Sequence, residues 1–208
     1  MSTVIPNIPE ETAELAGPTS LLLQMKPVID MTEDQFFEFC QINGELRIER
    51  SANGELVIMS PTGGESGNRE AELIMQLRIW AKKDGRGTAF NSNTGFTLPN
   101  KAIRAPDASW VSNTRLQAFT KDEREKFLPL CPEFVVEIRS PTDSIRALKA
   151  KLQEYIDNGA QLGLLIIPET KRVLIYQPHQ EVRELTNCDT VSCDPVLPGF
   201  ELVVKEVW

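Results

Sequence analysis

Apolar and polar positions recur along this chain with two periods, and the switches between them lay out its elements. Residues 1–30 are Pro-rich, show no clear period and read as an extended arm. Thr32-Glu33-Asp34-Gln35 then has the spacing of a capping box and opens a helix with Phe36, Phe37, Phe39 and Cys40 on its apolar face. Asn43-Gly44 stops it. Two alternating runs flank Ala52-Asn53-Gly54, the pattern of a β-hairpin. A glycine-rich turn, Thr62 to Gly67, leads into a helix over 68–84 that ends at Gly85 and Gly87. Leu73, Ile74, Leu77, Trp80 and Ala81 form its buried stripe.

Further on, TAFNSNTGFTLP and AIRAPDASWVS read as strands, LQAFTKDEREKF as a short helical excursion, and PEFVVEIRS as a buried central strand. A helix follows from Ser144 to Asn158, striped by Ile145, Leu148, Leu152, Tyr155 and Ile156. LGLLIIP and RVLIYQP make a hairpin around Glu169-Thr170, and VREL and FELVVKEVW read as closing strands. This order predicts an α/β domain over 31–208, with two helices around one central sheet and an added N-terminal helix and hairpin.

Composition narrows the functions. With 208 residues, 41% hydrophobic and 25% charged, the chain has the balance of an ordinary globular protein. It holds no apolar run near the ~18–20 residues that span a bilayer, and its first residues lack a basic start and long apolar stretch. The expected compartment is the cytoplasm, with no membrane partner. Cys40, Cys131, Cys188 and Cys193 form no CxxC pair, so free thiols are the better reading than a zinc site. His179, the only histidine, lies in a polar, turn-like stretch, so acid–base work falls to carboxylates, lysines or metal-bound water. A net charge of −8 argues against a general nucleic-acid coat and makes any DNA-binding surface local.

The candidate chemistry lies in acids set into apolar elements. Asp107 follows Pro106 in one predicted strand, and Glu137 interrupts FVVEI in another. A buried carboxylate without a partner is costly, so each needs a cation, a ligand or a metal. At about 100° per residue, Glu70 falls on the buried stripe of its helix and Glu72 does not. Glu70 reads either as a metal ligand or as a charge interacting with the helix dipole, with Glu65 a rival for the same place. Arg139, two residues beyond Glu137, shares its face of the strand by alternation. Lys151 sits one turn before Tyr155 at the edge of the apolar stripe, with Lys149 as its competitor. Carboxylates that hold a divalent metal, with a Lys or Arg to orient water and neutralise charge, are what phosphodiester hydrolysis needs. Oxygen ligands favour Mg2+, with Mn2+ as a substitute.

Pro106-Asp107 followed by Glu137-Ile138-Arg139 resembles the signature of the PD-(D/E)XK nuclease superfamily. The longer string from Leu130 to Pro178, with SPTGGESGNREAEL upstream, resembles the Uma family of restriction endonucleases over roughly residues 30–205. The resemblance implies a restriction-endonuclease-like core with a central mixed sheet flanked by helices. It implies DNA as substrate, Asp107 and Glu137 as metal ligands and the Ile138 carbonyl as a third. It also implies an activating cation, and the motif's usual lysine slot holds Arg139. Arginine is almost never neutral and makes a poor proton acceptor, but it can bind the scissile phosphate; Lys151, reaching the same point from the next helix, is the other candidate for the catalytic cation. Double-strand cleavage by a one-site chain calls for a homodimer. Two other readings stay open. One is a nuclease fold that binds nucleic acid or a protein without cutting; the other is a carboxylate-pair glycosidase, disfavoured by the few aromatics.

Overall fold

The computed structural model describes residues 20–208. Most of the residues 1–30 lie outside it, but Ser20–Leu23 is a strand, β1, paired antiparallel with a later one. Helix α1 (Glu33–Ile42) starts at Thr32, whose hydroxyl oxygen accepts from the Gln35 backbone N–H while the Thr32 backbone N–H donates to Gln35 Oε1. This capping box is worth about 1 kcal/mol. The expected hairpin is β2 (Arg47–Arg50) and β3 (Leu56–Met59). Helix α2 runs Gly64–Asp84, so it begins inside the glycine-rich segment rather than after it. Gly85 closes it with φ 75°, a left-handed cap that favours glycine.

The rest follows as β4 (Gly87–Asn91), β5 (Phe96–Thr97), β6 (Ile103–Arg104), β7 (Ala108–Ser112), α3 (Asn113–Leu116) and α4 (Lys121–Arg124). Next come β8 (Phe134–Ile138), α5 (Ile145–Asp157), β9 (Leu162–Ile167), β10 (Arg172–Tyr176), β11 (Arg183–Thr186), β12 (Val191–Ser192) and β13 (Glu201–Leu202). The expected long closing strand is only β13, paired with β12, before a 3-10 turn at Val204–Glu206. His179 is exposed in the turn between β10 and β11. No helix among the described residues is long and apolar enough to cross a membrane.

The strands form more than one sheet. The central one has six strands in the order β11-β10-β9-β8-β7-β4 and is mixed, because β8 and β9 run parallel and the other pairs antiparallel. The other large sheet has the order β1-β3-β2-β6-β5. Alternation assigns the faces of the central sheet. Phe134, Val136 and Ile138 of β8 join Leu73, Leu77 and Ala81 of α2, and the C-terminal segment completes that layer with Phe200, Leu202 and Val204. Val135 of β8 and Leu165 of β9 turn the other way, onto Leu152 and Tyr155 of α5. Gly163 permits this close approach, since a Cβ there would meet Leu152 Cδ1 at 2.8 Å. A smaller core of Phe36, Leu56 and Ile103 joins α1 to the five-stranded sheet.

The chain crosses between the two large sheets through Ala105-Pro106-Asp107, the three residues that link β6 to β7. The crossing delivers Asp107 to the end of β7, one position before the pair Ala108↔Val136. Asp107 therefore lies beside Glu137 of the adjacent strand.

Candidate active site

Glu137 interrupts β8 on the α5 face of the sheet and is 3% exposed. Lys151 Nζ, reaching from α5, lies 2.8 Å from its Oε1, and the Tyr155 hydroxyl donates to the same oxygen at 3.2 Å. One helical turn separates Lys151 from Tyr155, so both converge on one carboxylate. Asp107 is fixed at the neighbouring strand end. Its Oδ2 accepts from the Ile138 amide at 2.8 Å, and its Oδ1 takes Arg47 Nη2 at 3.3 Å. Glu70 on α2 accepts a hydrogen bond from the Ser92 hydroxyl, just past β4. Acids from α2, the β6–β7 crossing and β8 thus line one cleft at one end of the central sheet.

Their electrostatics agree with crowding. Burial raises the Glu137 carboxyl to about 7; Lys151 opposes this, and the charges of Asp107 and Glu49 add to it. Burial also raises Glu70, with Asp107 contributing in the same direction. Burial works against the charge of Lys151, but Glu137 and Glu49 outweigh it and hold its pKa above the ordinary lysine value. Lys151 is therefore a fixed cation rather than a proton acceptor.

The five-stranded sheet supplies residues that the sequence reading missed. Glu49 of β2, also 3% exposed, accepts from Lys151 Nζ at 2.8 Å, from Arg104 Nη1 at 3.2 Å and from the Ala105 amide at 3.0 Å. Arg104 continues to Glu154 of α5 at 2.7 Å. Arg47 of β2 also donates to the Ala105 carbonyl at 3.1 Å. Arg47 and Glu49 thus hold the backbone carbonyl and amide of Ala105 in the crossing segment. Their one signal in the sequence was alternation in Arg47-Ile48-Glu49-Arg50, which places 47 and 49 on one face. Asp143, which lines the same cleft, was also missed. Burial raises its carboxyl and Asp107 adds to the rise.

Arg139 falls elsewhere than expected. The strand ends at Ile138, so alternation no longer carries the next side chain to the Glu137 face. Its guanidinium donates to the Asp143 and Pro141 carbonyls and pairs with Glu169 at 3.1 Å. Arg139 braces the loop between β8 and α5. Of the two rival pairs, Glu70 interacts with Asp107 while Glu65 is exposed in the first turn of α2, and Lys151 enters the acid cluster while Lys149 points to solvent.

These groups open into a cleft of about 700 Å³. The hairpin forms one wall through Arg47, Glu49 and Met59; the start of α2 contributes Arg69 and Glu70, and α5 contributes Leu148 and Lys151. As the side chains lie, no three His, Cys, Asp or Glu residues among the described residues form a cluster compact enough to hold a metal. The donors are pointed at protein partners instead, with Arg47 on Asp107, Lys151 on Glu137 and Ser92 on Glu70. The donor chemistry nevertheless fits a hard divalent cation. Carboxylates from three segments line the one cleft, and burial together with the charge of Asp107 holds Glu137 and Glu70 above their ordinary pKa. An added positive charge there relieves the repulsion.

Residues 33–205 match the family model Uma2, whose description reads "putative restriction endonuclease". The chain belongs to the Uma2 family. The match spans the hairpin, the six-stranded sheet, all of the five-stranded sheet but β1, and the acid pair, so the Arg47–Glu49 wall lies inside the family's domain. A solved structure titled as a putative nuclease belonging to DUF820, from Anabaena variabilis ATCC 29413, is similar in fold with a TM-score of 0.69. It is 20% identical, and the alignment covers 86% of this chain and 97% of that one. No curated protein matches the sequence.

Proposed function

We propose that this Uma2-family chain is a metal-dependent endonuclease that hydrolyses DNA phosphodiesters at the end of its central sheet. The observation that carries the reading is the pairing of Asp107 and Glu137 on adjacent strands with Lys151 Nζ 2.8 Å from Glu137. Two carboxylates and a fixed ammonium are the parts that metal-assisted phosphoryl hydrolysis uses. Asp107 and Glu137 would hold Mg2+, or Mn2+ in its place, with Glu70 and the Ile138 carbonyl as further oxygen donors. A bound divalent ion supplies a water of lowered pKa and positive charge against the phosphate.

The protein's own groups do the rest. The Ile138 amide and the strand end orient Asp107. Tyr155 and Lys151 hold Glu137 in one rotamer. Lys151 stays protonated and offers its N–H groups to the attacking water or the developing charge on phosphorus-bound oxygen. Burial of Glu137 and Glu49 keeps bulk water from screening these interactions.

Calorimetric titration with Mg2+ and Mn2+ is expected to show saturable binding that Asp107→Ala and Glu137→Ala abolish. Affinity should fall as pH drops below about 7, because Glu137 must lose its proton to bind. A protein that takes up neither ion would overturn the metal-dependent reading. Metal binding without nicking of supercoiled plasmid or cleavage of single-stranded DNA would leave a fold that binds without cutting. Gel filtration with light scattering tests the proposed homodimer.

A further inference from the structure

The cleft contains cations that differ sharply in how far they are committed. Lys151 is shared by Glu49 and Glu137, and Arg104 by Glu49 and Glu154. Arg139 is spent on Glu169 and two loop carbonyls. Arg47 and Arg69, which both line the cleft, are different. The Nε of each is buried with no hydrogen-bond partner among the described residues. A buried guanidinium N–H without an acceptor is costly and marks a place where an anion is wanted. Arg47 is also loosely tied to Asp107. Its 3.3 Å contact is longer than the ~2.7–2.9 Å of a strong N⁺–H···O⁻ bond.

We infer that Arg47 and Arg69 form a phosphate-binding pair in this cleft, and that Arg47 stands on Asp107 until a phosphate draws it away and leaves that carboxylate to the metal. The inference rests on the metal reading proposed above. One carboxylate oxygen cannot serve Arg47 and a divalent ion equally well, so the two compete. A phosphodiester gives Arg47 an alternative acceptor, with a planar fork suited to two phosphate oxygens. Arg69, at the start of α2, supplies the second guanidinium. Metal and phosphate therefore bind with positive coupling, and the coupling is reciprocal by linkage. A chain without nucleic acid holds its metal weakly, and one with a phosphate in the cleft holds it well.

The test uses the full chain, Mn2+ and thymidine 3′,5′-bisphosphate, with binding read by calorimetry rather than by cleavage. In the wild type, the bisphosphate is expected to tighten Mn2+ binding by about tenfold, within the ~5–150-fold range of ordinary coupling. In Arg47→Ala, Mn2+ alone should bind about tenfold more tightly than to wild type, and the bisphosphate should no longer improve it. Arg47→Gln, which keeps a donor for the Ala105 carbonyl, guards against loss of the fold and should behave likewise. In Arg69→Ala, Mn2+ alone should bind as in wild type while the bisphosphate weakens by about tenfold. Unchanged Mn2+ affinity in both Arg47 variants overturns the competition, and unchanged bisphosphate affinity in Arg69→Ala overturns the pair. Failure of every protein to bind Mn2+, with or without bisphosphate, overturns the metal reading itself and is readily told apart from these results.

Discussion

Glu49 and Glu137 are each 3% exposed and each lie 2.8 Å from the same ammonium, yet their carboxyls are displaced in opposite directions. Burial pushes both upward. For Glu49 the charges of Lys151 and Arg104 and the Ala105 amide more than offset it, and the carboxyl falls to about 2. For Glu137, Lys151 is opposed by Asp107 and Glu49, and the carboxyl rises to about 7. One end of the ion network, in the five-stranded sheet, is balanced in charge and works as a clamp. The other end, in the central sheet, is short of positive charge. Depth of burial does not separate the acid of the clamp from the proposed metal ligand, whereas the number of cations committed to each does.

The sharpest way to break this contrast is through activity. Glu137→Gln keeps the shape and removes the charge, and is expected to lower plasmid cleavage in Mg2+ by about 10³-fold. Cleavage within tenfold of wild type would put the chemistry elsewhere.

Stability comes next, and the two acids should give opposite signs. The pKa of Glu49 is depressed, so its contribution is present above its unfolded value of 4.5 and is lost as pH falls toward 2. Glu137 has a raised pKa, so its contribution is full below 4.5 and is lost as pH rises through about 7. In urea melts of metal-free protein at pH 8, Glu49→Gln should therefore destabilise and Glu137→Gln stabilise. Shifts of the same sign would dissolve the distinction.

A smaller effect is expected at the shared cation. Lys151→Ala should lower the activity of folded protein by about 10²-fold. The smallest belongs to Arg139→Ala, since that guanidinium braces a loop, and its cleavage should stay within about threefold of wild type, under ~1 kcal/mol. Equal losses in the two variants would return Arg139 to the acid cluster.

How much of this was legible in the sequence follows from sequence distance. The capping box at Thr32, the helix beginning at Ser144 and the strand FVVEI are local patterns, and they appear in the structure as read. Asp107 and Glu137 stood out because an acid in an apolar strand is costly, and Glu70 because helical phase is a local quantity. Glu49 was hidden because Arg47-Ile48-Glu49-Arg50 reads as an ordinary amphipathic strand. Only contacts across 102 residues to Lys151 and 55 to Arg104 reveal its burial. The division into two large sheets was equally hidden, since it depends on where Ala105-Pro106-Asp107 turns the chain. Arg139 was misdirected because strand alternation was carried one residue past the end of the strand.

The amide of Ile138 has a use of its own. It donates to Asp107 Oδ2 at 2.8 Å, so its proton senses the state of that carboxylate directly. In a nitrogen-15 correlation spectrum this single backbone signal should move when Asp107 exchanges one positive partner for another. The protein therefore carries an intrinsic reporter at its proposed centre, one that needs no dye, no label on a side chain and no turnover to be read.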